Sequence, residues 1–377
     1  KGTKKKSRLL AVPLWLCAFV VKTLMTIHID GSLGEGGGQV LRTSLAFSAL
    51  TGQPVQIDNI RARRRTPGLA AQHLAGVRAL ASLCGAAVKG DSIGSSRVDF
   101  APGGAAQAGE YLFDVSALAG QGSAGAVTLL LQTLLWPLLY AESESRLTLR
   151  GGTHVAWSPP ADYIRDVLLP TLTPMGVDVT CELTGWGFYP VGGGEWQVTI
   201  RPATAALRPL VLEERGELVK VTGVGVAAEL PAHIAQRISN RATNVLRQAD
   251  VPASITPERV RSKGPGAGIF LTAHYTNSRA GFSALGKQGK PSDAVADEAC
   301  AALLTHHIDG APVDPHLADQ LLVPLALADG GSVFRTSQVT QHLLTNAAVI
   351  RAFIDAKIVI DGAEGEPGTV TVVGIGR

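Results

Sequence analysis

Three groups of side chains in this sequence have types and spacings suited to phosphate chemistry. The first is the run Asp30-Gly31-Ser32-Leu33-Gly34-Glu35-Gly36-Gly37-Gly38-Gln39-Val40-Leu41-Arg42. Glycines there let backbone N–H groups close on an anion, and the N-terminus of a following helix favours negative charge. Neither standard nucleotide fingerprint fits: no G-x-x-x-x-G-K-[ST] occurs, and the G-x-G-x-x-G register fails at Gln39. A tight structural turn is the competing account. The second group is Arg61-Ala62-Arg63-Arg64-Arg65-Thr66-Pro67-Gly68, which leads into a helix holding Gln72 and His73. Guanidinium forks suit phosphate, although such a run is ordinarily a solvated loop. The third is a pair of histidines, His73 and His342, each near the start of a helix. A neutral imidazole can attack phosphorus and form a phosphoramidate; on the residue alone a structural role is the better reading.

Two further segments suit a nucleotide pocket. Pro159-Pro160-Ala161-Asp162 opens a helix after Gly151-Gly152-Thr153, and His316-Leu317-Ala318-Asp319-Gln320 opens another. Proline at a helix start is also explained by capping alone, and Asp319 also fits as a first-turn carboxylate complementing the helix dipole. Among the other histidines, His306 and His307 end an apolar helix and read as surface or cap residues, while spacing suggests no partner for His28 or His154. The insert helix carrying Arg237, Arg241 and Arg247 reads as a solvated face.

The elements that must position these groups form a weak internal repeat. Three segments share one order: apolar helix, turn, strand, second helix, two strands. The first copy begins at GGGQVLRTSLAFSALTG, the second at AVTLLLQTLLWPLLYA and the third at HLADQLLVPLALADG. The sequence predicts an α/β (α+β) fold of three βαβαββ-like units, residues 25–205 and 311–377, making one large domain. Residues 206–310 break the order and read as a smaller inserted α/β domain, joined where a repeat is already complete.

Composition narrows the function. With 377 residues, 46% hydrophobic and 17% charged against a usual 25% or so, the chain is globular rather than disordered. Lys+Arg number 34 and Asp+Glu 31, but six of the cations and none of the acids precede Met25, so the remainder carries −3. A globally basic nucleic-acid coat is excluded, and any such contact must be a local patch. Cys17, Cys84, Cys181 and Cys300 form no CxxC pair, which speaks against a zinc ribbon or disulfide framework and for free thiols in a reducing compartment. Residues 1–24 combine a charged start with an apolar run of about 13 residues, too short to span a bilayer, which takes roughly 20. They read as an extension outside the fold, with an export signal as the alternative.

The segments DGSLGEGGGQVLR, RARRRTPGLAAQHL, GSAGAVTLLLQ, GGTHVAWSPPADY, GFYPVGGGE, SALGKQGK, HLADQL and TQHLLTN occur in this order over Met25 to Arg377. Together they resemble the RNA 3′-terminal phosphate cyclases. The resemblance implies use of ATP and a divalent metal, Mg or Mn, to turn an RNA 3′-phosphate end into a 2′,3′-cyclic phosphate. It further implies a histidine–AMP intermediate on His342, with Asp319 orienting the imidazole or stabilising its cationic form. Glu35 would help hold the metal at the triphosphate. Adenine would lie between Pro159 and His316, where tyrosine is usual, with Gln132, Asp319 and Gln320 completing the ATP site. Gln39, Arg42, Arg61, Arg64, Gln72 and His73 would surround the RNA and nucleotide phosphates. The partner implied is RNA with a 3′-terminal phosphate, in the cytoplasm, with neither a membrane nor DNA as main substrate; no motif speaks to oligomeric state. Trp186 stands where His or Arg is usual, a change read as structural. Two rivals share the general pattern: a non-catalytic cyclase-like protein of ribosome assembly, and an enolpyruvyl-type transferase built from repeated α/β units.

Overall fold

A computed structural model describes residues 25–119 and 124–377. The N-terminal extension and Gly122-Ser123 of the GSAGAVTLLLQ segment lie outside those residues.

Three four-stranded sheets repeat one topology. In the first, Ile27–Asp30 pairs in parallel with Val55–Asp58, which pairs antiparallel with Val98–Ala101, and Ala87–Lys89 closes the far edge. Glu110–Asp114, Ser145–Gly151, Gly194–Arg201 and Asp178–Gly185 follow in the same spatial order, as do Val211–Leu212, Gly331–Thr336, Gly368–Val373 and Lys357–Asp361. A parallel pair cannot be closed by a hairpin. Each unit therefore spends its first helix on the crossover: Gly38–Thr51, Val127–Leu139 and Pro315–Leu327. The second helices are Ala71–Cys84, the segmented stretch from Ala161 to Met175, and Gln341–Phe353.

The helices pack together in the middle. Gly38–Thr51 lies against Val127–Leu139 and Gln341–Phe353, and Gln341–Phe353 against Pro315–Leu327. Val127–Leu139 is apolar on nearly every face and correspondingly buried, Gln132 excepted. Leu131, Leu134, Leu321, Leu343 and Ile350 join one continuous core, each fully buried aliphatic chain contributing about 1.5–3 kcal/mol.

The inserted unit has a core of its own around Val221, Ile238, Leu246, Ile269 and Leu303. Its sheet is formed by Leu218–Ala228, Ala253–Val260, Gly266–Tyr275 and Arg279–Leu285, backed by helices Ala232–Gln248 and Ser292–Asp309. The boundary differs from the sequence reading. Val211–Leu212 pairs with Gly331–Thr336, and Leu207, Leu210 and Leu212 belong to the large core, so the chain departs after the first strand of the third repeat, inside it rather than before it. A two-residue edge strand is too short to leave an alternation in the sequence.

His306 is also corrected. The residue is 3% exposed, its ring packed 5.4 Å from Phe282 and 6.3 Å from Tyr275, and burial lowers its pKa. On the insert's helices Arg241 pairs with Asp297 at 2.7 Å and Arg237 with Asp293 at 3.5 Å, in keeping with a solvated face. Cys84, Cys181 and Cys300 are free, and among the described residues no helix is long and apolar enough to cross a membrane.

Candidate functional site

The glycine run and the arginine run converge. Arg63 donates to the Gly34 carbonyl at 3.1 Å, and Arg64 pairs with Glu35 at 2.9 Å. Gly34 has φ 57°, and a Cβ there would lie 2.0 Å from the Thr345 hydroxyl, so only glycine lets the loop rest on helix Gln341–Phe353. At Gly38 a Cβ would lie 2.1 Å from His73 Nε2. The helix starting at Gly38 has no side-chain cap, which leaves its first N–H groups and their partial positive charge for a bound anion.

Helix Gln341–Phe353 is capped by Thr340, whose hydroxyl accepts from Leu343 N at 3.1 Å, and this sets His342 in the first turn. Residues from distant parts of the chain fix its imidazole. Gln39 Nε2 donates to Asp319 Oδ2 at 2.7 Å, and Gln39 Oε1 lies 2.7 Å from His342 Nδ1. An ionised Asp319 only accepts, so it turns the amide N–H toward itself and the amide oxygen toward the ring. Nδ1 must then carry the proton, leaving the Nε2 lone pair free, 3.6 Å from Glu35 Oε2. Asn346 fastens the same elements, donating to the Asp319 carbonyl at 2.8 Å and accepting from Thr43 at 2.7 Å. Asp319 reaches the imidazole through Gln39.

His73 is held in the opposite tautomer. Its Nδ1 accepts from Ala70 N at 3.3 Å, which puts the proton on Nε2 beside Gly38. Burial, with Arg42 and Arg61 nearby, lowers its pKa to about 3, so it is a neutral donor. His342 is lowered as well, burial and the arginines Arg42 and Arg64 outweighing Glu35. Burial brings Arg42 down to about 10, still charged at neutral pH, and lifts Asp319 to about 7 against the pull of Arg42. Desolvation thus outweighs mutual attraction in this pair.

Across the cleft, Thr128 donates to the Pro159 carbonyl at 2.7 Å, Gln132 to Gln320 Oε1 at 2.7 Å, and Gln320 to the His316 carbonyl at 2.6 Å. Glu35, Gln39, Arg42, Arg61, Arg64, Gln72, His73, Gln132, Pro159, His316, Asp319, Gln320 and His342 all line one cleft of about 780 Å³. Arg61 also serves structure: with φ 54° it donates to the Gly68 carbonyl at 2.9 Å.

Sequence reasoning missed three features. Gln39 was grouped with the phosphate ligands rather than recognised as a bridge, for no local spacing links residues 39, 319 and 342. His154 is buried with Nε2 2.6 Å from Asp162 and Trp186 stacked on it at 4.3 Å; its only signal was a polar pair eight residues apart across Pro159-Pro160. Trp157, on the cleft wall, was read only as part of a longer motif.

Among the described residues no group of three His, Cys, Asp or Glu could hold a metal ion. A single carboxylate, Glu35, does suit an ion that arrives with substrate phosphates, since Mg²⁺ is usually held by one or two carboxylates plus phosphate oxygens.

The fold and cleft define a three-repeat α/β protein with an inserted unit and a histidine, His342, set beside a glycine-rich loop. The family model for RNA 3′-terminal phosphate cyclase matches residues 33–360, and the chain belongs to that family. It is 54% identical to an RNA 3′-terminal phosphate cyclase of Trichormus variabilis over 338 residues, 90% of this chain and 97% of that protein. Another, from Methylococcus capsulatus, is 49% identical over 348 residues (92% and 96%), and one from Archaeoglobus fulgidus 42% over 336 residues (89% and 98%). Among solved structures, the enolpyruvyl transferase NikO of Streptomyces tendae aligns with 93% of this chain and 48% of its own at 13% identity and TM-score 0.41, too distant to carry weight.

Proposed function

We propose that this chain uses ATP to convert RNA 3′-phosphate ends to 2′,3′-cyclic phosphates in the cytoplasm. The observation that carries the reading is the Asp319–Gln39–His342 chain, which leaves Nε2 unprotonated and facing the cleft. In the first step Nε2 attacks the α-phosphorus of ATP; a P–N bond forms and the P–O bond to pyrophosphate breaks. An oxygen of the RNA 3′-phosphate then attacks that phosphorus, the P–N bond breaks, and a phosphoanhydride joins RNA to AMP. Last, the neighbouring 2′-hydroxyl attacks the terminal phosphorus, its proton passes to water, and AMP leaves.

The second step brings anion toward anion, and in all three the phosphorus under attack is ringed by anionic oxygens, so charge must be screened before the atoms can meet. Arg42, Arg61 and Arg64, the N–H of His73, the Gln72 amide and the bare start of helix Gly38–Thr51 supply that screening. A metal ion held by Glu35 and substrate phosphates would neutralise further charge. Pro159 and His316 present flat faces for adenine, with Gln132 and Gln320 beside them. His342 favours this reading over the non-catalytic one, which lacks a nucleophile, and the free thiols of Cys84, Cys181 and Cys300 suit a reducing compartment.

The test incubates the protein with ATP, Mg²⁺ or Mn²⁺ and an RNA oligonucleotide ending in a 3′-phosphate. Conversion to a phosphatase-resistant cyclic end, dependent on ATP, is expected; an RNA left unchanged under conditions that preserve the fold contradicts it.

A further inference from the structure

We propose that Trp157 is a stacking platform for a base in the last few nucleotides of the RNA. The inference rests on the reaction proposed above and adds a substrate contact to it. Trp157 is 99% exposed, yet it lies on the wall of the cleft that holds His342, Arg64 and His73. An indole gains much from burial, so one held wholly in water beside a binding cleft is unusual.

The backbone fixes that outward position. Trp157 has φ 65°, a region bulky L-residues rarely enter, and such strain persists only where the surroundings impose it. Here they do. On one side His154 is locked to Asp162 and packed against Trp186. On the other, the Ser158 hydroxyl donates to the Val155 carbonyl at 2.9 Å, and Thr128 holds the Pro159 carbonyl at 2.7 Å. The indole is presented at the rim by a rigid turn.

The occupant follows from charge and continuity. From Met25 onward the chain carries −3, so its net charge gives RNA no general attraction. A terminal phosphate gripped by Arg64 and His73 must lead the rest of the strand out across the cleft rim. Stacking holds single-stranded bases without charge and without sequence preference, as suits an enzyme acting on ends.

The experiment compares wild type with Trp157→Ala and Trp157→Phe on a 3′-phosphate oligonucleotide and on versions abasic at each of the last three positions. Protein–AMP formation, turnover and, without ATP, binding by fluorescence anisotropy are measured. Trp157→Ala should form the adduct at the wild-type rate and lose about tenfold in RNA affinity and kcat/KM, while Trp157→Phe retains most of both. One abasic substrate should show the same loss with wild type and no further loss with Trp157→Ala. Unchanged affinity, losses that add on every abasic substrate, or a defect in adduct formation would overturn the platform; the last would mark Trp157 as an ATP contact. If wild type forms no adduct, the reaction scheme fails, while the anisotropy series still decides for or against stacking.

Discussion

Gln39 and Asp319 are 280 residues apart in sequence, and their side chains meet at 2.7 Å. That contact ties the first repeat to the third and, through the other end of the same amide, sets the proton on His342. Three repeats folding around one bundle of helices make it possible. His342 comes from one unit, Gln39, which fixes its tautomer, from another, and Gln132 from the third.

Gln39→Leu keeps the volume and removes both hydrogen bonds. Losing such a bond to a charged group costs about 1.5–3 kcal/mol, so rapid-quench measurement of protein–AMP formation should show a tenfold to hundredfold slowing with the fold intact. A wild-type rate would mean that the bridge does not control the imidazole.

The same bridge predicts a pH dependence. Asp319, raised to about 7, protonates as pH falls through that value. The acid can then donate to the Gln39 oxygen, the amide turns, and His342 loses the acceptor that kept its proton on Nδ1. Adduct formation should therefore fall below about pH 7. Asp319→Asn keeps an acceptor but does not titrate, so its acid limb should move below the ordinary histidine value of 6.5, where His342 itself protonates. An acid limb unmoved by Asp319→Asn argues against the relay.

His73 should tax stability in acid. Its folded pKa, about 3, lies below the ordinary 6.5, so the unfolded chain binds the extra proton and folding free energy is lost as pH drops through 6.5 toward 3. At pH 5 that loss is about 2 kcal/mol. His73→Asn retains an acceptor for the Ala70 N–H and should be spared it. Asp319 titrates in the same range with opposite sign, but it does so in both proteins, so the difference between their urea midpoints at pH 7.5 and pH 5 isolates His73.

Arg64→Ala separates the steps of the reaction. The Arg64–Glu35 pair is nearly half exposed on both sides, and such pairs contribute about 1 kcal/mol or less, so stability should hardly change. Transfer of AMP to RNA should fall about a hundredfold while adduct formation stays near wild type. Equal losses in both steps would displace Arg64 from the RNA end.

The large features of this fold were legible because the periodicity of buried side chains marks them, and the repeat appears wherever an apolar helix precedes a strand. Val211–Leu212 was not, since two residues carry no period. Most of the cleft residues stood out by type and spacing, their roles and Gln132 came from the resemblance to a family, and the structure brings all thirteen to one surface. Pairings across the fold were beyond reach: the Gln39 bridge spans the whole chain, and His306 was read as a surface or cap residue because its aromatic neighbours Tyr275 and Phe282 sit on other strands.

The central claim is that His342 Nε2 carries the nucleotide. Protein incubated with ATP and Mg²⁺, without RNA, should gain the mass of one adenylyl group, labile to acid and stable to alkali, and peptide mapping should place it on His342. The His342→Ala protein should gain nothing. An adduct on another residue, or none on a folded and ATP-binding wild type, would contradict the account.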